Sequence, residues 1–219
     1  MGGFGTSAGV GIELATGLPS PILNPEFDFD PARYYNPGNL RASNDTQYVG
    51  IAASGNILFV LPQFFGTAGV ITDLRSWIGN TASTLKQLIF SDSLVLNAHT
   101  PGSLIFSQQF VTAGFHTTVD STPNVSVNAG QWVWFGMIGL TDGAFNGGAL
   151  ALGDNKSCLP VLGTNLPTNT TGSPAALTYI GYKNAFTYGN PLTVYPTPLT
   201  PMFQNNAGFP ISAFKFRRS

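Results

Sequence analysis

The stretch Gly130–Leu140, GQWVWFGMIGL, leaves this chain few ways to fold. In an extended backbone successive side chains alternate between faces, so Trp132 and Trp134 share one face while Val133, Phe135 and Met137 share the other. Both faces are apolar and both need cover, which places the strand inside a sheet with material packed on each side. The run just before it, Val125 and Val127, alternates and then meets a turn at Asn128-Ala129-Gly130. The two tryptophans are therefore read as core residues rather than as an exposed binding surface.

The surrounding pattern is strand, turn, strand. Ile57–Phe65 (ILFVLPQFF) is a continuous apolar run, and Pro62 near its end predicts an edge or bulge position because proline cannot donate to a ladder. Over Val70–Ile78, the residues Val70, Thr72, Leu74, Ser76 and Ile78 are expected on one face. Further strands are predicted over Leu85–Ser91, Ser103–Phe110, Phe115–Val119 and Ala144–Leu152, with the turn-rich DSLVLNAHTPG between the first two. Beyond Asp154 the patterning fades into a long loop. Leu177–Tyr188 supplies one more strand, Tyr195–Pro201 (YPTPLTP) is extended, and Ile211–Phe216 alternates as a last strand that pairs back into the sheet. Short strands with regular turn signals predict an all-β sandwich or barrel.

Residues 1–45 differ from the rest. A Gly-rich opening gives way to Pro19, Pro21, Pro25, Pro31 and Pro37, which oppose helix and ladder alike. Yet Ile12, Leu14, Phe27, Phe29, Tyr34 and Tyr35 are too many apolar groups for a solvated linker. The segment reads as an extended N-terminal anchoring arm that buries these residues against something else, with 46–219 as the β-sandwich domain.

Charged residues make up 9% of the chain, against about 25% in a typical soluble protein. With 43% hydrophobic residues a packed core is available, and a net charge of −1 gives no field for nucleic acid or anionic lipid. Such a weakly charged surface suits dense packing against copies of the same chain. No apolar run reaches the roughly 18 residues a membrane helix needs, and no basic, apolar signal peptide is read at the N-terminus. Cys158 is the single cysteine, so neither an intrachain disulfide nor a cysteine zinc set is expected.

Catalytic signals are sparse. After Thr46 the acids are Asp73, Asp92, Asp120, Asp142 and Asp154, and the last four fall in apparent turns, where Asp commonly caps its own backbone. His99 and His116 stand alone among small residues, without an HxH or HExxH spacing. Catalytic residues, cofactors and metals are accordingly expected to be none. The remaining candidates for binding are Asp142, Asn146, Asp154 and Asn155, whose oxygens flank the strand after the aromatic one. Carboxylate and amide oxygens on neighbouring loops suit calcium, and beside aromatic rings they suit a sugar; the plain alternative is ordinary turn polarity. The sequons at Asn44, Asn124 and Asn169 are read as accidental, and the basic tip Lys215, Arg217 and Arg218 as a solvated terminus, with contact to an acidic neighbour in an assembly as the alternative.

Three fragments carry a resemblance: Ile89-Phe90-Ser91-Asp92, then Pro101-Gly102-Ser103-Leu104-Ile105, then Gly130-Gln131-Trp132-Val133-Trp134. In this order they resemble a jelly-roll module of tailed-bacteriophage virion proteins, found in tail fibres and other surface appendages. The likeness spans roughly Leu61–Leu152 and departs from the usual Tyr-Trp pair, since Val133 separates Trp132 from Trp134. It implies a non-enzymatic virion protein, assembled in the host cytoplasm as a homotrimer, its arm docked to other virion proteins and its loops facing a host-surface glycan. Capsid decoration is the alternative role, and a glycan-acting enzyme a remote one.

Overall fold

A computed structural model describes residues 32, 34, 35, 37, 51–52, 55–77, 83–95, 98–112, 118–142, 146–147, 179–203 and 214–219. Every regular element among them is a β-strand: β1 (Ile51–Ala52), β2 (Ile57–Phe65), β3 (Gly69–Trp77), β4 (Ser83–Val95), β5 (Ala98–Thr112), β6 (Thr118–Ser121), β7 (Val125–Val127), β8 (Gln131–Gly139), β9 (Asn146–Gly147), β10 (Tyr179–Ala185), β11 (Pro201–Phe203) and β12 (Phe214–Arg218). All pairings are antiparallel. The larger sheet runs β11-β10-β2-β8-β4-β5; the smaller runs β12-β3-β6, with β7 also on β3; β1 and β9 form a separate two-stranded ribbon. The protein is an all-β sandwich.

β8 lies inside the larger sheet, between β2 and β4, as its two apolar faces require. On the inner face Val133, Phe135 and Met137 join Phe59, Leu61, Phe65, Leu85 and Ile89 against Ile71, Leu74, Val127 and Phe216 of the smaller sheet. Phe216 stacks on Phe135 at 4.8 Å and meets Phe65 edge-on at 5.7 Å. Each such ring contributes about 1.5–3 kcal/mol by leaving water, so this layer supplies much of the drive for closing the sandwich. One polar cluster crosses it. The fully buried Gln87 donates Nε2–H to Ser76 Oγ (2.9 Å) and to the Val119 carbonyl (3.2 Å), while its Oε1 accepts from Ser121, so every polar atom of the group is satisfied.

The outer face of β8 finds a different cover. Trp134 and Ile138 lie with Leu58, Val60, Leu88 and Phe90 beneath Tyr188 and Tyr195, which belong to the irregular segment 186–200 rather than to another sheet. That segment is fastened by Asn184, whose Nδ2 donates to the Pro198 carbonyl (2.6 Å) and whose Oδ1 accepts from Tyr195 Oη (3.2 Å) and the Thr200 amide (3.3 Å). Asn56 fastens its start: in the left-handed region at φ 58°, it accepts the Tyr188 amide on Oδ1 at 2.9 Å. Asparagine tolerates that backbone better than most residues, so one side chain serves both turn and clamp.

Three expectations change. Val70 through Ser76 do not share one face, because β3 carries a bulge: Arg217 opposes Asp73 but Arg218 opposes Ile71. The extra residue reverses the alternation, so the buried positions are Ile71, Leu74 and Ser76. The stretch DSLVLNAHTPG is not a broad turn, since β4 continues to Val95 and β5 restarts at Ala98. Nor are Arg217 and Arg218 a solvated tip. Arg217 pairs with Asp73 at 2.8 Å, and the buried Arg218 donates to Thr67 Oγ1 and the Ala68 carbonyl, both at 2.6 Å. Pro62 behaves as its chemistry demands: β10 pairs with β2 only from Ile57 to Val60, so the missing amide falls where β2 has become an edge.

Candidate functional site

The fragments 89–92, 101–105 and 130–134 lie on three strands, and the fold brings them into one place. β4 is paired with β8 on one side and β5 on the other, with Phe90 opposite Trp134 and Asp92 opposite Pro101. Asp92 Oδ1 accepts the Trp134 indole N–H at 2.9 Å, and Asp92 Oδ2 lies 2.6 Å from His99 Nδ1. Ser91 Oγ accepts the Ser103 amide at 3.1 Å. Gly102 fits beneath this junction because a Cβ there would stand 3.1 Å from Ser91 Oγ and 3.2 Å from Ser93 Cβ. The residue types therefore have a local cause: an acid to satisfy a buried indole, and a glycine to let β5 pass the Ser91 hydroxyl.

Asp92 and His99 were not legible as a pair. Asp92 resembled a turn residue, yet it lies within β4 and spends both oxygens on other strands. Asp120 likewise lies in β6, bound to the Arg75 guanidinium through two 2.7 Å contacts. The signal that would have found the His99–Asp92 pair is their seven-residue separation across one hairpin, whose register sets Leu94 opposite His99 and Asp92 opposite Pro101, so that the two lie diagonally on neighbouring strands.

His99 is 38% exposed and Asp92 18%. With a carboxylate on its Nδ1, the imidazole carries the hydrogen there, and in the neutral ring Nε2 is left as an acceptor. The His99 ring lies 5.1 Å from that of Trp132, which lies 5.2 Å from that of Phe64. Trp134 is fully buried, as expected of a core residue, whereas Trp132 and Phe64 are half-buried. The outer face thus ends in a row of three rings with one oriented imidazole. Among the described residues no hydroxyl or thiol is hydrogen-bonded to His99, so the arrangement offers ring faces and an acceptor rather than a nucleophile relay.

The oxygens expected to form a binding site are only partly placed. Asp142 follows β8, and its Oδ1 accepts the Gly55 amide at 2.6 Å, which closes the turn before β2. Asn146 lies in β9 opposite Ala52. Asp154 and Asn155 lie outside the described residues, and among the described residues no group of three or more His, Cys, Asp or Glu is placed to hold a metal ion. Of the arm residues, Tyr35 bridges to β12 by exchanging amide bonds with Phe216 (2.7 and 2.8 Å). The Tyr34 ring carries the guanidinium groups of Arg75 (4.6 Å) and Arg217 (5.3 Å). Ile12, Leu14, Phe27 and Phe29 lie outside the described residues.

No family model matches the chain, and no curated protein matches it. Among the described residues no helix is long and apolar enough to cross a membrane.

Proposed function

We propose that this protein is a jelly-roll structural component of a bacteriophage particle, non-enzymatic and self-associating, most naturally a tail appendage that takes part in attachment to the host surface. The observation that carries the reading is the order of strands. Seven strands and the Tyr35 bridge fall into two sets, Tyr35-β12-β3-β6 and β2-β8-β4-β5. In chain order the visits run small, large, small, large, large, small, large, small, a sequence compatible with two Greek keys that supports the jelly-roll reading, with β10 and β11 added at the β2 edge. Jelly rolls of this kind recur in viral capsid and lectin domains. The interlocked residues Ser91, Asp92, Gly102 and Trp134 are among those that carry the resemblance to phage virion modules, and their contacts support the reading.

In this role residues 1–31 tether the domain to the particle, while Tyr34 and Tyr35 belong to the sandwich edge. The Phe64–Trp132–His99 row is the surface on which an attachment function would fall, since aromatic faces beside a hydrogen-bond acceptor suit the C–H face and hydroxyls of a sugar. Two measurements test the proposal. Removing residues 1–31 should leave the domain folded but abolish its incorporation into particles; normal incorporation overturns the tether. Density in the reconstructed particle should then appear at the tail. Density on the shell would instead assign the decoration role.

A further inference from the structure

The larger sheet ends in β5, and the outer edge of that strand is only partly covered. The 186–200 segment bonds to it at its start, where the Leu104 amide donates to the Thr193 carbonyl and the Tyr195 amide donates to the Gly102 carbonyl. From Ile105 onward no described residue pairs with that edge. Phe106–Thr112 is regular, residue for residue, against Ser83–Ile89, and holds no proline or charge; the register shift falls just before it, at Ile105. Edge strands in soluble proteins are usually blunted by one of those devices, because bare amides and carbonyls recruit another strand. The same edge carries two of the most exposed large hydrophobic residues of the described set, Val111 at 79% and Ile105 at 44%.

What such an edge accepts is a strand, and this edge is complementary to itself. The sequence Ile105-Phe106-Ser107-Gln108-Gln109-Phe110-Val111 has nearly the same pattern in both directions about Gln108. In an antiparallel pair with a two-fold axis at Gln108, Ile105 of one chain faces Val111 of the other, Phe106 faces Phe110, and Ser107 faces Gln109. Apolar meets apolar, hydroxyl meets amide, and at the axis the Gln108 amide meets its own image, with no like charges opposed. Phe106 and Phe110 are half-buried at the rim of the inner core, so pairing also shields their exposed edges.

We propose that a second copy of this chain docks here, β5 against β5, joining the two larger sheets into one continuous sheet across an isologous two-fold. This does not depend on the virion role, and its symmetry differs from the threefold association implied by the resemblance. A strand pair of this length buries less than the about 1,200–2,000 Å² of a standard interface, so the dimer should exchange and be seen at ~10–100 µM protein.

The full-length chain should sediment at twice its 23.1 kDa mass at the upper end of that range and approach the single-chain mass on dilution. Val111→Lys, at a position exposed in the single chain, should weaken association at least tenfold with unchanged thermal unfolding. Adding Ile105→Asp to the same chain should restore it, because each lysine then faces an aspartate. Cysteine substitution reads the register directly. Opposed residues in antiparallel strands have Cα atoms about 4.5–5.5 Å apart, within disulfide reach. Gln108→Cys should therefore give a covalent dimer on mild oxidation, well above the unsubstituted chain, and Ser107→Cys should not. A single-chain mass at the highest concentration, a trimer that Val111→Lys leaves intact, or equal cross-linking at 107 and 108 would each overturn the proposal.

Discussion

Asp92 shows how much one side chain can fix. It satisfies the indole of a fully buried tryptophan and orients a half-exposed histidine, tying β4 to β8 and β5 at once. Asp92→Ala strands the Trp134 N–H away from water, and leaving a buried donor unpaired costs about 1–3 kcal/mol. Asp92→Asn keeps one acceptor oxygen for the indole and should lose less. Urea unfolding of the two variants gives the order directly; equal losses would mean that the His99 contact, not the indole bond, carries the stabilisation. Gln87 makes a second case. Gln87→Leu removes the donor to Ser76 and Val119 and the acceptor for Ser121. Two buried hydroxyls and the half-buried Val119 carbonyl lose this partner, and a loss of about 2–4 kcal/mol is expected from the same measurement. Asp73 adds an acid-side effect. Its hydrogen bond to Arg217 is the largest influence on it and holds its carboxyl below the usual range. The contact therefore contributes fully above pH ~4 and is lost as pH falls through the depressed value. Acid titration should show a destabilising phase below pH ~4 that is absent in Arg217→Gln.

At the scale of elements, the segment 186–200 is the part of the fold that depends most on neutral tyrosines. Burial pushes the Tyr188 hydroxyl up to about 12, and burial together with the nearby Tyr182 pushes Tyr195 upward as well. Both groups are neutral in either state below pH ~10, so their full contribution is present there. Above it the unfolded phenols ionise while the buried ones resist, and stability is lost as pH rises. Tyrosine ionisation followed by ultraviolet absorbance should lag behind that of free tyrosine, then proceed together with exposure of Trp134 as the segment lifts. Tyr188→Phe with Tyr195→Phe should remove the alkaline transition; an unchanged transition would place its cause elsewhere. This element also marks a limit of sequence reading. The two apolar faces of Trp132–Met137 announced that cover exists on both sides, but YPTPLTP offers no periodicity from which to recognise the cover. Its fastening depends on Asn184 and Asn56, far away in sequence. The last strand was legible because its sequence alternates, and β12 pairs with β3 in register from Phe214 to Arg217. The alternation of β3 misled because the bulge opposite Arg217 and Arg218 is set by partner strands, not by residues 70–76 themselves. The fragments 89–92, 101–105 and 130–134 were legible as a pattern of strands and turns and not as a candidate site, since their meeting depends on the order β8-β4-β5.

At the scale of the whole molecule, the scarcity of charge bears on the proposed meeting of two copies. Long-range steering requires a field, and a chain with a net charge of −1 and 9% charged residues has little of one. Among the described residues, the guanidiniums of Arg75 and Arg217 are already paired with Asp120 and Asp73. In the proposed β5 dimer, contact comes from main-chain pairing and apolar matching, which ions screen little. Raising salt from ~0.05 to ~0.5 M shortens the Debye length roughly threefold and would weaken an electrostatic association substantially. The proposed self-association should change less than twofold over that range, while ~1–2 M urea, which solvates peptide and apolar groups, should weaken it before the fold is lost. Sedimentation at matched protein concentration decides between them. A steep fall of the association constant with salt would show that charged residues outside the β5 edge hold the copies together; insensitivity to salt with sensitivity to urea is the behaviour of an open strand that finds its own image.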